Sequence, residues 1–187
     1  MAQNGGSRAD TLFQTLLDEQ ASEKRPPVDQ WQPERSGSID IRIARDGTWY
    51  HEGSPIQRAA MVKLFSTILR RDGDDYFLVT PVEKLAIEVE DAPFQAVALT
   101  RDGDGAEQRL LFTTNVGDHV VADGDHRLDV QERDGEPAPY VHVRNNLWAL
   151  LSRNVFYELV DLGERAPDDP ARLAVRSCGT WFDLGRT

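Results

Sequence analysis

The sequence predicts an α+β protein made of two similar small halves, each combining a sheet with one helix. Half-buried strands are indicated by alternating apolar and polar residues, as in Ile39–Ala44. Helices are indicated by apolar residues at helical spacing in residues 54–71 and again in residues 146–162. From residue 95 onward, turn signals recur about every eight to twelve residues, which is typical of a small antiparallel sandwich or barrel. The similar order of elements in the two halves favours a duplication, although direct residue identity between them is too low to define a repeat.

The first half begins with a hairpin and continues into the best-signalled helix of the chain. Asp46-Gly47 predicts a tight turn, because glycine accepts the positive φ that a two-residue turn demands. Thr48–His51 is the returning strand, rich in β-branched and aromatic residues. Ser54–Gln57 has the pattern of a capping box with proline at the first helical position. We therefore expect a helix from there to Arg71, closed by Asp72-Gly73.

Arg58 is the residue that does not fit this helix. Its spacing from Met61 places it on the apolar stripe, and it falls in the first turn, where the helix dipole disfavours a cation. A charge in such a position has an anionic partner. One candidate partner is a carboxylate such as Glu83 or Asp91. The other is an anionic ligand bound at the helix N-terminus beside Gly53-Ser54.

The chain divides into three predicted segments. Residues 1–30 contain a disordered start (the first seven residues), a short helix over about 10–20 and the beginning of a proline-rich linker, which Trp31 holds to the body. Residues 31–94 form an N-terminal α+β domain, and residues 95–187 form a C-terminal α+β domain.

The second half is predicted to contain short strands followed by a helix. The strands are 95–100, 109–114, 119–121, 128–131 and 139–144, with a final pair at 174–176 and 181–184. The helix covers residues 146–162, and Arg153-Asn154 allows it to divide in two, because asparagine caps helices well and is poor in their interior.

The run Asp102–Gly105 invites comparison with a calcium-binding loop. An EF-hand loop needs an oxygen ligand at position 5, glycine at position 6 and glutamate at position 12. Counting from Asp102, these positions hold Ala106, Glu107 and Thr113, so the pattern does not match. The run therefore predicts a hairpin turn, and neither a metal site nor a cofactor is predicted.

Charge limits the partners of this protein. The net charge is −11 and the isoelectric point is near 4.8, which argues against a general electrostatic grip on duplex nucleic acid. The negative net charge is still compatible with a small nucleotide or a single strand bound in a locally positive cleft. Residues 41–71 contain six Arg or Lys against two Asp or Glu, although the solvated flanks of a strand and a helix explain such a region better than a binding cleft does.

Cys178 is the single cysteine, which rules out an internal disulfide and a cysteine-clustered metal site and suits a reducing cytoplasm. Residues 1–8 lack the apolar core of a secretory signal. The longest apolar run, Leu147–Leu151, is far too short to span a membrane. We therefore expect a cytoplasmic protein that does not enter a membrane.

Several short motifs occur in order along the chain: Ile43-Ala44-Arg45-Asp46-Gly47-Thr48-Trp49, His51-Glu52-Gly53-Ser54-Pro55-Ile56, Leu64-Phe65, Ile68-Leu69-Arg70-Arg71, Thr80-Pro81-Val82-Glu83-Lys84, Val89-Glu90-Asp91-Ala92-Pro93-Phe94, Phe112-Thr113-Thr114-Asn115-Val116-Gly117-Asp118, Pro139-Tyr140, Val143-Arg144 and Ser152-Arg153. Together they resemble the bacterial domain-of-unknown-function family 1285 over residues 31–185. One departure is that Asn154 and Phe156 stand where proline and tyrosine are expected, which affects only the predicted helix break.

The resemblance implies a duplicated α+β core whose second half looks superficially like a pleckstrin-homology barrel, here an antiparallel barrel or sandwich with a capping helix. It also implies an anionic, nucleotide-like ligand bound between the two halves and a role in signalling, and it brings no enzymatic activity. The residues that could face that ligand are His51, Arg58, Thr80, Glu83, Tyr140, Arg144 and Arg153.

Each of these residues also has an ordinary structural explanation. His51 suits a hydrogen-bonded structural role, and Thr80 with Glu83 suits a helix-capping turn. Tyr140 can fill core with its hydroxyl satisfied. Arg144 and Arg153 can form ordinary ion pairs.

Three classes of function stay open. In the first, a ligand-binding signalling module, Arg58, Arg144 and Arg153 grip an anionic group while Tyr140 or Trp49 stacks on a flat ring. The second is a protein-interaction scaffold that needs no small molecule and serves a partner in a signalling pathway. The third is a hydrolase that uses His51 with Glu83 or Asp91. It is disfavoured because the chain lacks a Gly-x-Ser-x-Gly elbow, a P-loop and a His-Glu-x-x-His motif.

Overall fold

Two six-stranded sheets, a small third sheet and three α-helices form in residues 8–186, the part of the chain that the computed structural model describes. Side-chain positions are described from residue 12 onward, apart from residues 19 and 20. The predicted disorder of the first seven residues lies outside this range. The predicted fold class is confirmed, because the chain is an α+β protein with two similar six-stranded halves, one of them curled into a half-barrel. The pleckstrin-homology likeness stays an expectation.

The elements of the first half are α1 (Arg8–Ser22), a 3-10 turn (Val28–Gln30), β1 (Arg35–Ile43), β2 (Trp49–His51), β3 (Ser54–Pro55), α2 (Ala59–Thr67), β4 (Leu69–Asp72), β5 (Asp75–Val79) and β6 (Glu83–Val89). The elements of the second half are β7 (Phe94–Asp102), a 3-10 turn (Gly105–Glu107), β8 (Arg109–Thr114), β9 (His119–Val121), β10 (Leu128–Arg133), β11 (Glu136–Arg144), β12 (Leu147–Leu151), α3 (Arg153–Asp161), β13 (Glu164–Arg165), β14 (Arg172–Ser177) and β15 (Thr180–Arg186).

The two large sheets repeat one topology. The first has the strand order β3-β2-β1-β6-β5-β4, and the second has the order β9-β8-β7-β12-β11-β10. Each strand of the second sheet therefore corresponds to the strand six earlier in the first. In both sheets the two central strands are parallel, β1 with β6 and β7 with β12. This shared strand order supports a duplicated core, which the low residue identity between the halves does not show.

The helices do not follow the repeat. Helix α2 lies between the third and fourth strands of the first sheet, whereas α3 follows the sixth strand of the second. The prediction that matched residues 54–71 to residues 146–162 was therefore wrong in its pairing. The strand order alone carries the similarity.

The first predicted helix is shorter than expected at both ends. Ser54 and Pro55 form the short edge strand β3, opposite His51 and Tyr50, so they do not cap a helix. Proline fits there because an edge strand does not need its missing N–H. At the other end, β4 forms a hairpin with β5, so residues Leu69–Asp72 are extended.

The second predicted helix also begins later. Residues Leu147–Leu151 form β12, which lies between β11 and β7 in the second sheet. A central strand with both faces covered is apolar throughout, which makes a short run of this kind hard to distinguish from a helix. The N-cap of α3 is Ser152, whose hydroxyl oxygen accepts a hydrogen bond from the Val155 amide at 3.3 Å. The possible division at Arg153-Asn154 falls at the start of α3: the helix begins at Arg153, and the residues before its N-cap form β12, so there are not two helices here.

The N-terminal segment is held against the body at two places. Phe13 of α1 is fully buried, and the Arg109 guanidinium lies 4.5 Å from the centre of its ring. The linker is held by Arg70, which donates hydrogen bonds to the carbonyl oxygens of Val28 at 3.0 Å and Trp31 at 2.8 Å. Arg70 thereby covers the exposed edge of β4 with the linker.

The buried side chains of the two halves form one continuous core. Ile43, Trp49 and Leu78 of the first sheet belong to the same apolar cluster as Phe94 and Leu110 of the second. Both sheets therefore share the stabilisation from burial of these side chains. No helix in residues 8–186 is both long enough and apolar enough to cross a bilayer.

We expect Gly47→Ala to destabilise the protein by about 1–3 kcal/mol, since strained backbone and a steric clash act together. Gly47 has a φ of +88°, and an added Cβ would lie 2.7 Å from the Asn115 Nδ2 atom. Asn115 donates to the Gly47 carbonyl and accepts from the Gln95 amide, so the clash would disturb contacts between the halves. Urea denaturation measures the effect.

Gly53→Ala is the matched control for that variant. Gly53 has a similar φ of +80°, but nothing lies within 4 Å of the added Cβ. It therefore carries the backbone strain without the clash. Equal losses of stability in the two variants would contradict a role for the Asn115 contact.

Candidate ligand-binding site

A cleft of about 280 Å³ lies between the two halves. The first half contributes one wall from the hairpin β4–β5, and the second half contributes the other from β10, β11 and β12. The two hairpins β4–β5 and β10–β11 correspond to each other in the repeated topology. We call this depression the interdomain cleft, and its lining residues are Arg71, Tyr76, Asp91, Ala92, Asp129, Gln131, Arg133, Tyr140 and Trp148.

The first wall presents a cation and an aromatic ring side by side. Arg71 and Tyr76 are directly opposite in the β4–β5 hairpin, and the guanidinium carbon lies 5.3 Å from the ring centre. The Arg71 Nε donates to the Gly73 carbonyl at 2.9 Å, which fixes the side chain along the hairpin. Burial raises the pKa of Tyr76 above its ordinary value, so the ring remains a neutral phenol.

The second wall presents a row of polar side chains. Asp129, Gln131 and Arg133 alternate along β10, so they lie on one face of the strand and all line the cleft. The Gln131 Nε2 donates to the Asp129 Oδ2 at 2.9 Å. The row therefore runs from a carboxylate through an amide to a guanidinium.

Asp91 joins the two halves at the back of the cleft. Its side chain is 3% exposed, and Arg133 Nη1 lies 2.8 Å from Asp91 Oδ1. The same oxygen accepts a hydrogen bond from the Tyr140 hydroxyl at 2.7 Å. On the other side, Arg45 Nε lies 3.4 Å from Asp91 Oδ2. Burial and the Asp91 contact raise the pKa of Tyr140 to about 12, so its hydroxyl stays a donor.

Trp148 supplies a second aromatic surface in the cleft. It lies on β12 beside His142, with the two ring centres 5.2 Å apart in an edge-to-face arrangement. The turn before it is tied to the first half, because Asn146 Nδ2 donates to the Arg71 carbonyl at 3.2 Å. Cations and aromatic rings from both halves therefore face one space.

A separate groove of about 760 Å³ contains Arg153. It is lined by the β1–β2 turn, by β11 and β12 and by the start of α3, and it includes Arg45, Phe156 and Tyr157. Arg153 is the first residue of α3, its side chain is exposed, and it forms no ion pair with any residue in the described range. The predicted site residues Arg153 and Tyr140 thus line different depressions.

A third, polar depression of about 430 Å³ lies beside the linker. Its cations, Arg70 and Lys84, both pair with Asp72, at 2.9 Å and 2.7 Å. Arg70 also holds the linker, so these charges are already committed to contacts within the protein.

Arg144 is part of a structural ion-pair cluster between the halves. Asp118 is buried and shared by Arg144 and Arg25. The second terminal nitrogen of Arg144 donates to the Ser66 carbonyl at 2.7 Å, and its guanidinium carbon lies 4.9 Å from the centre of the Phe94 ring. Burial lowers the pKa of Arg144, partly offset by Asp118. These contacts correspond to the ion-pair alternative raised by the sequence.

The interpretation of Arg58 as a charge on an apolar helical face was wrong. Arg58 is the N-cap residue of α2, and its side chain is exposed, because the helix begins later than predicted. Neither proposed carboxylate partner contacts it: Glu83 is exposed at the start of β6, and Asp91 pairs with Arg45 and Arg133. A role for Arg58 in ligand binding stays a prediction, but its supposed position on an apolar helical face no longer supports it.

The remaining predicted residues lie elsewhere on the first half. His51 ends β2 and is exposed, with its Nε2 4.0 Å from the Glu52 carboxylate. Thr80 is in the β5–β6 turn, where its hydroxyl oxygen accepts from the Glu83 amide at 3.2 Å. This is a hairpin turn, so the helix-capping alternative was wrong. In the described range, His51 has no hydrogen bond to Glu83 or Asp91, the pair that a hydrolase would need.

Trp49 cannot stack on a ligand, contrary to one prediction. It is 1% exposed and packs against Phe65 in the core, with ring centres 6.3 Å apart. The sequence reasoning also missed Arg71, Arg133 and Trp148 as cleft residues. The alternation of Asp129, Gln131 and Arg133 was the available signal for one wall, but nothing local shows that β10 faces β4 and β5. No group of three His, Cys, Asp or Glu side chains suited to a metal occurs within the described range.

The fold and the cleft define a duplicated two-sheet α+β protein with a depression between its halves. The sequence matches the family model described as "Domain of unknown function (DUF1285), N-terminal domain" over residues 26–92. It matches "Protein of unknown function (DUF1285), C-terminal domain" over residues 93–184. The chain belongs to the DUF1285 family, which confirms the resemblance found in its motifs.

Two solved structures of the same family are similar to this chain. A DUF1285 family protein from Silicibacter pomeroyi DSS-3 is 47% identical, with a TM-score of 0.82 over 92% of this chain and 95% of that one. A DUF1285 family protein from Shewanella baltica OS155 is 31% identical, with a TM-score of 0.51 over 65% of this chain and 90% of that one. No curated protein matches the chain.

Proposed function

We propose that this protein binds a planar anionic ligand of nucleotide type in the interdomain cleft. The observation that supports the proposal is that Arg71 and Tyr76 of one half face the same space as Arg133, Tyr140 and Trp148 of the other. Arginine suits phosphate through its fork of donors, and aromatic rings suit a flat base. The cleft volume of about 280 Å³ is just below the range of about 300–1,000 Å³ typical of small-molecule sites, which favours a small ligand such as a mononucleotide.

The proposed roles follow from the available donors. With other described residues, the terminal nitrogens of Arg71 make only long contacts, at 3.5 Å, so they are available to a phosphate. Arg133 uses Nη1 for Asp91, and that pair holds its guanidinium at the cleft wall. Trp148 and Tyr76 offer ring surfaces for stacking. Of the residues that the sequence predicted, Tyr140 is retained in this site.

A ligand in this position would contact both halves at once, which is the geometry of a sensor. We therefore place the protein in signalling, as the family resemblance implies, with a cytoplasmic location as the sequence predicts. A ligand that contacts both halves favours their packed arrangement over any opened one, since it stabilises the state that it binds.

A protein-interaction module is the second candidate function. It is favoured by α2, on which Leu64 is 62% exposed and Met61 is also accessible. Exposed apolar side chains on one helix are typical of a protein contact surface. Capture of a partner by the ligand-free protein, together with a ligand screen that shows no stabilisation, would favour this candidate.

We expect Arg71→Gln to weaken nucleotide binding at least tenfold, because a hydrogen bond to a charged group contributes about 1.5–3 kcal/mol. Isothermal titration measures the affinity. Thermal unfolding checks that the ligand stabilises the wild type and that the variant still folds, since a saturating ligand at about 100 times its Kd adds about 2.7 kcal/mol.

Two further arginine variants make the result specific. Arg101→Gln is the matched control, because Arg101 lies on β7, away from the cleft, and among the described residues its ion pair is with the exposed Asp104. Arg58→Gln separates the two hypotheses: the sequence-based one expects it to abolish binding, and the cleft geometry expects no effect. Normal affinity in Arg71→Gln would contradict the proposed site.

A further inference from the structure

We propose that the interdomain cleft selects guanine over the other bases, with Asp129 and Gln131 reading the Watson–Crick edge of the base. This inference rests on the proposed function, because it names the ligand class of the same site. It is carried by the order of hydrogen-bonding groups on one face of β10, which the binding proposal does not use.

The first step concerns the orientation of the Gln131 amide. An ionised carboxylate only accepts hydrogen bonds, so Gln131 must direct its NH₂ group at Asp129. In the structure, Gln131 Nε2 donates to Asp129 Oδ2 at 2.9 Å. The NH₂ carries two hydrogens, and the contact with Asp129 uses one. The second remains for a ligand acceptor.

The second step concerns the resulting pattern. The Gln131 NH₂, Asp129 Oδ2 and Asp129 Oδ1 offer a donor, an acceptor and an acceptor in sequence along the cleft wall. The edge of guanine offers the complement, namely the O6 acceptor, the N1–H donor and the N2 amino donor. A carboxylate that accepts from both donors forms a bidentate pair, which adds geometric specificity.

The other bases do not match this pattern. Adenine has an acceptor, N1, next to its single amino donor, so N1 would face a carboxylate oxygen. Two acceptors that face each other leave both unpaired, which disfavours adenine. Cytosine and uracil also place an acceptor or a single donor where the carboxylate needs two adjacent donors.

The rest of the cleft is arranged to suit the rest of the nucleotide. Arg133 lies two residues beyond Gln131 on the same face of β10, at the opposite end of the row from Asp129. Two residues along a strand correspond to about 6.6–6.8 Å, so the row from carboxylate to guanidinium covers about 13 Å between Cα atoms. That distance suits a base edge at Asp129 and a phosphate at Arg133 and Arg71. Trp148 and Tyr76 provide the faces between which the ring can lie.

The test compares nucleotides that differ only in the base. Isothermal titration of the full chain with GMP, AMP, CMP and UMP is expected to give at least tenfold tighter binding for GMP, because each mismatched base leaves hydrogen-bonding groups of the complex unpaired. Similar affinities for GMP and AMP would overturn the guanine inference and leave the proposed function standing. Absence of binding by all four nucleotides would overturn both.

For Asp129→Asn we expect a new base preference, which misfolding of the variant could not produce. Asparagine presents one acceptor and one donor, so the row becomes donor, acceptor, donor. This is the complement of xanthine, which has an acceptor in place of the guanine N2 amino group. We expect GMP affinity to fall at least tenfold and XMP affinity to rise above it.

The matched control is Asp134→Asn. Asp134 lies in the same β10–β11 hairpin, is exposed and has a φ of +54° that asparagine tolerates well. It changes the net charge by the same amount without altering the row. An unchanged ratio of GMP to XMP affinity in Asp129→Asn, or the same change in Asp134→Asn, would overturn the inference.

Discussion

Asp118→Ala is expected to destabilise this protein by about 3–5 kcal/mol, because removing one member of a buried ion pair leaves the other charge without compensation. The Asp118 side chain is 6% exposed and the Arg144 side chain 15% exposed. Arg25 shares the same carboxylate, so the variant would leave two guanidinium groups close together. Thermal unfolding should show a fall in Tm of about 10 °C for a chain of this size.

A surface pair provides the comparison for that variant. Asp104 pairs with Arg101 but is 88% exposed, so Asp104→Ala is expected to cost less than about 1 kcal/mol. Both variants lose one carboxylate, which keeps the change in net charge equal. A similar Tm in the two proteins would show that the cluster of Asp118, Arg144 and Arg25 does not hold the halves together.

Trp49→Ala is expected to cost about 3–5 kcal/mol, because truncating a large buried aromatic side chain removes apolar contacts and leaves a cavity. Trp49 belongs to the core cluster shared by the two sheets and stacks on Phe65 of α2. Urea denaturation at equilibrium measures the free energy of unfolding.

Trp49→Phe separates packing from hydrogen bonding at the same position. The Trp49 indole N–H is buried and has no hydrogen-bond partner in the described range, so its removal loses no such bond. The expected cost is below about 1.5 kcal/mol for a change that keeps most of the apolar volume. Loss of nucleotide affinity in Trp49→Phe without loss of stability would contradict the assignment of Trp49 to the core.

Much of the fold could be predicted because strand signals are local. The alternation in Ile39–Ala44 and the Asp46-Gly47 turn predicted the β1–β2 hairpin correctly. The helix bounds failed where pairing between strands overrode a local pattern. Ser54-Pro55 has the sequence of a helix start, yet it pairs with β2, and Leu69–Asp72 continues a helical spacing while it pairs with β5.

The candidate site was harder to predict than the fold because its two walls are distant in the chain. Nothing in the local sequence distinguishes Arg71 and Arg133 from other hairpin residues. They line one cleft only because the fold brings the β4–β5 and β10–β11 hairpins face to face. Arg58 attracted attention because its predicted helix made it unusual, and the correct helix bounds remove that reason. Tyr140 was found through the family resemblance, and the structure adds the hydrogen bond to Asp91 that the motif does not show.

The shared core has a consequence for how this family is divided. The two family models meet between residues 92 and 93, yet Phe94, directly after that boundary, belongs to the same buried cluster as Ile43 and Trp49. A fragment cut at the boundary would expose one side of this cluster to water. The unit that repeats in the strand order is therefore half a chain, whereas the buried core is built by both halves together.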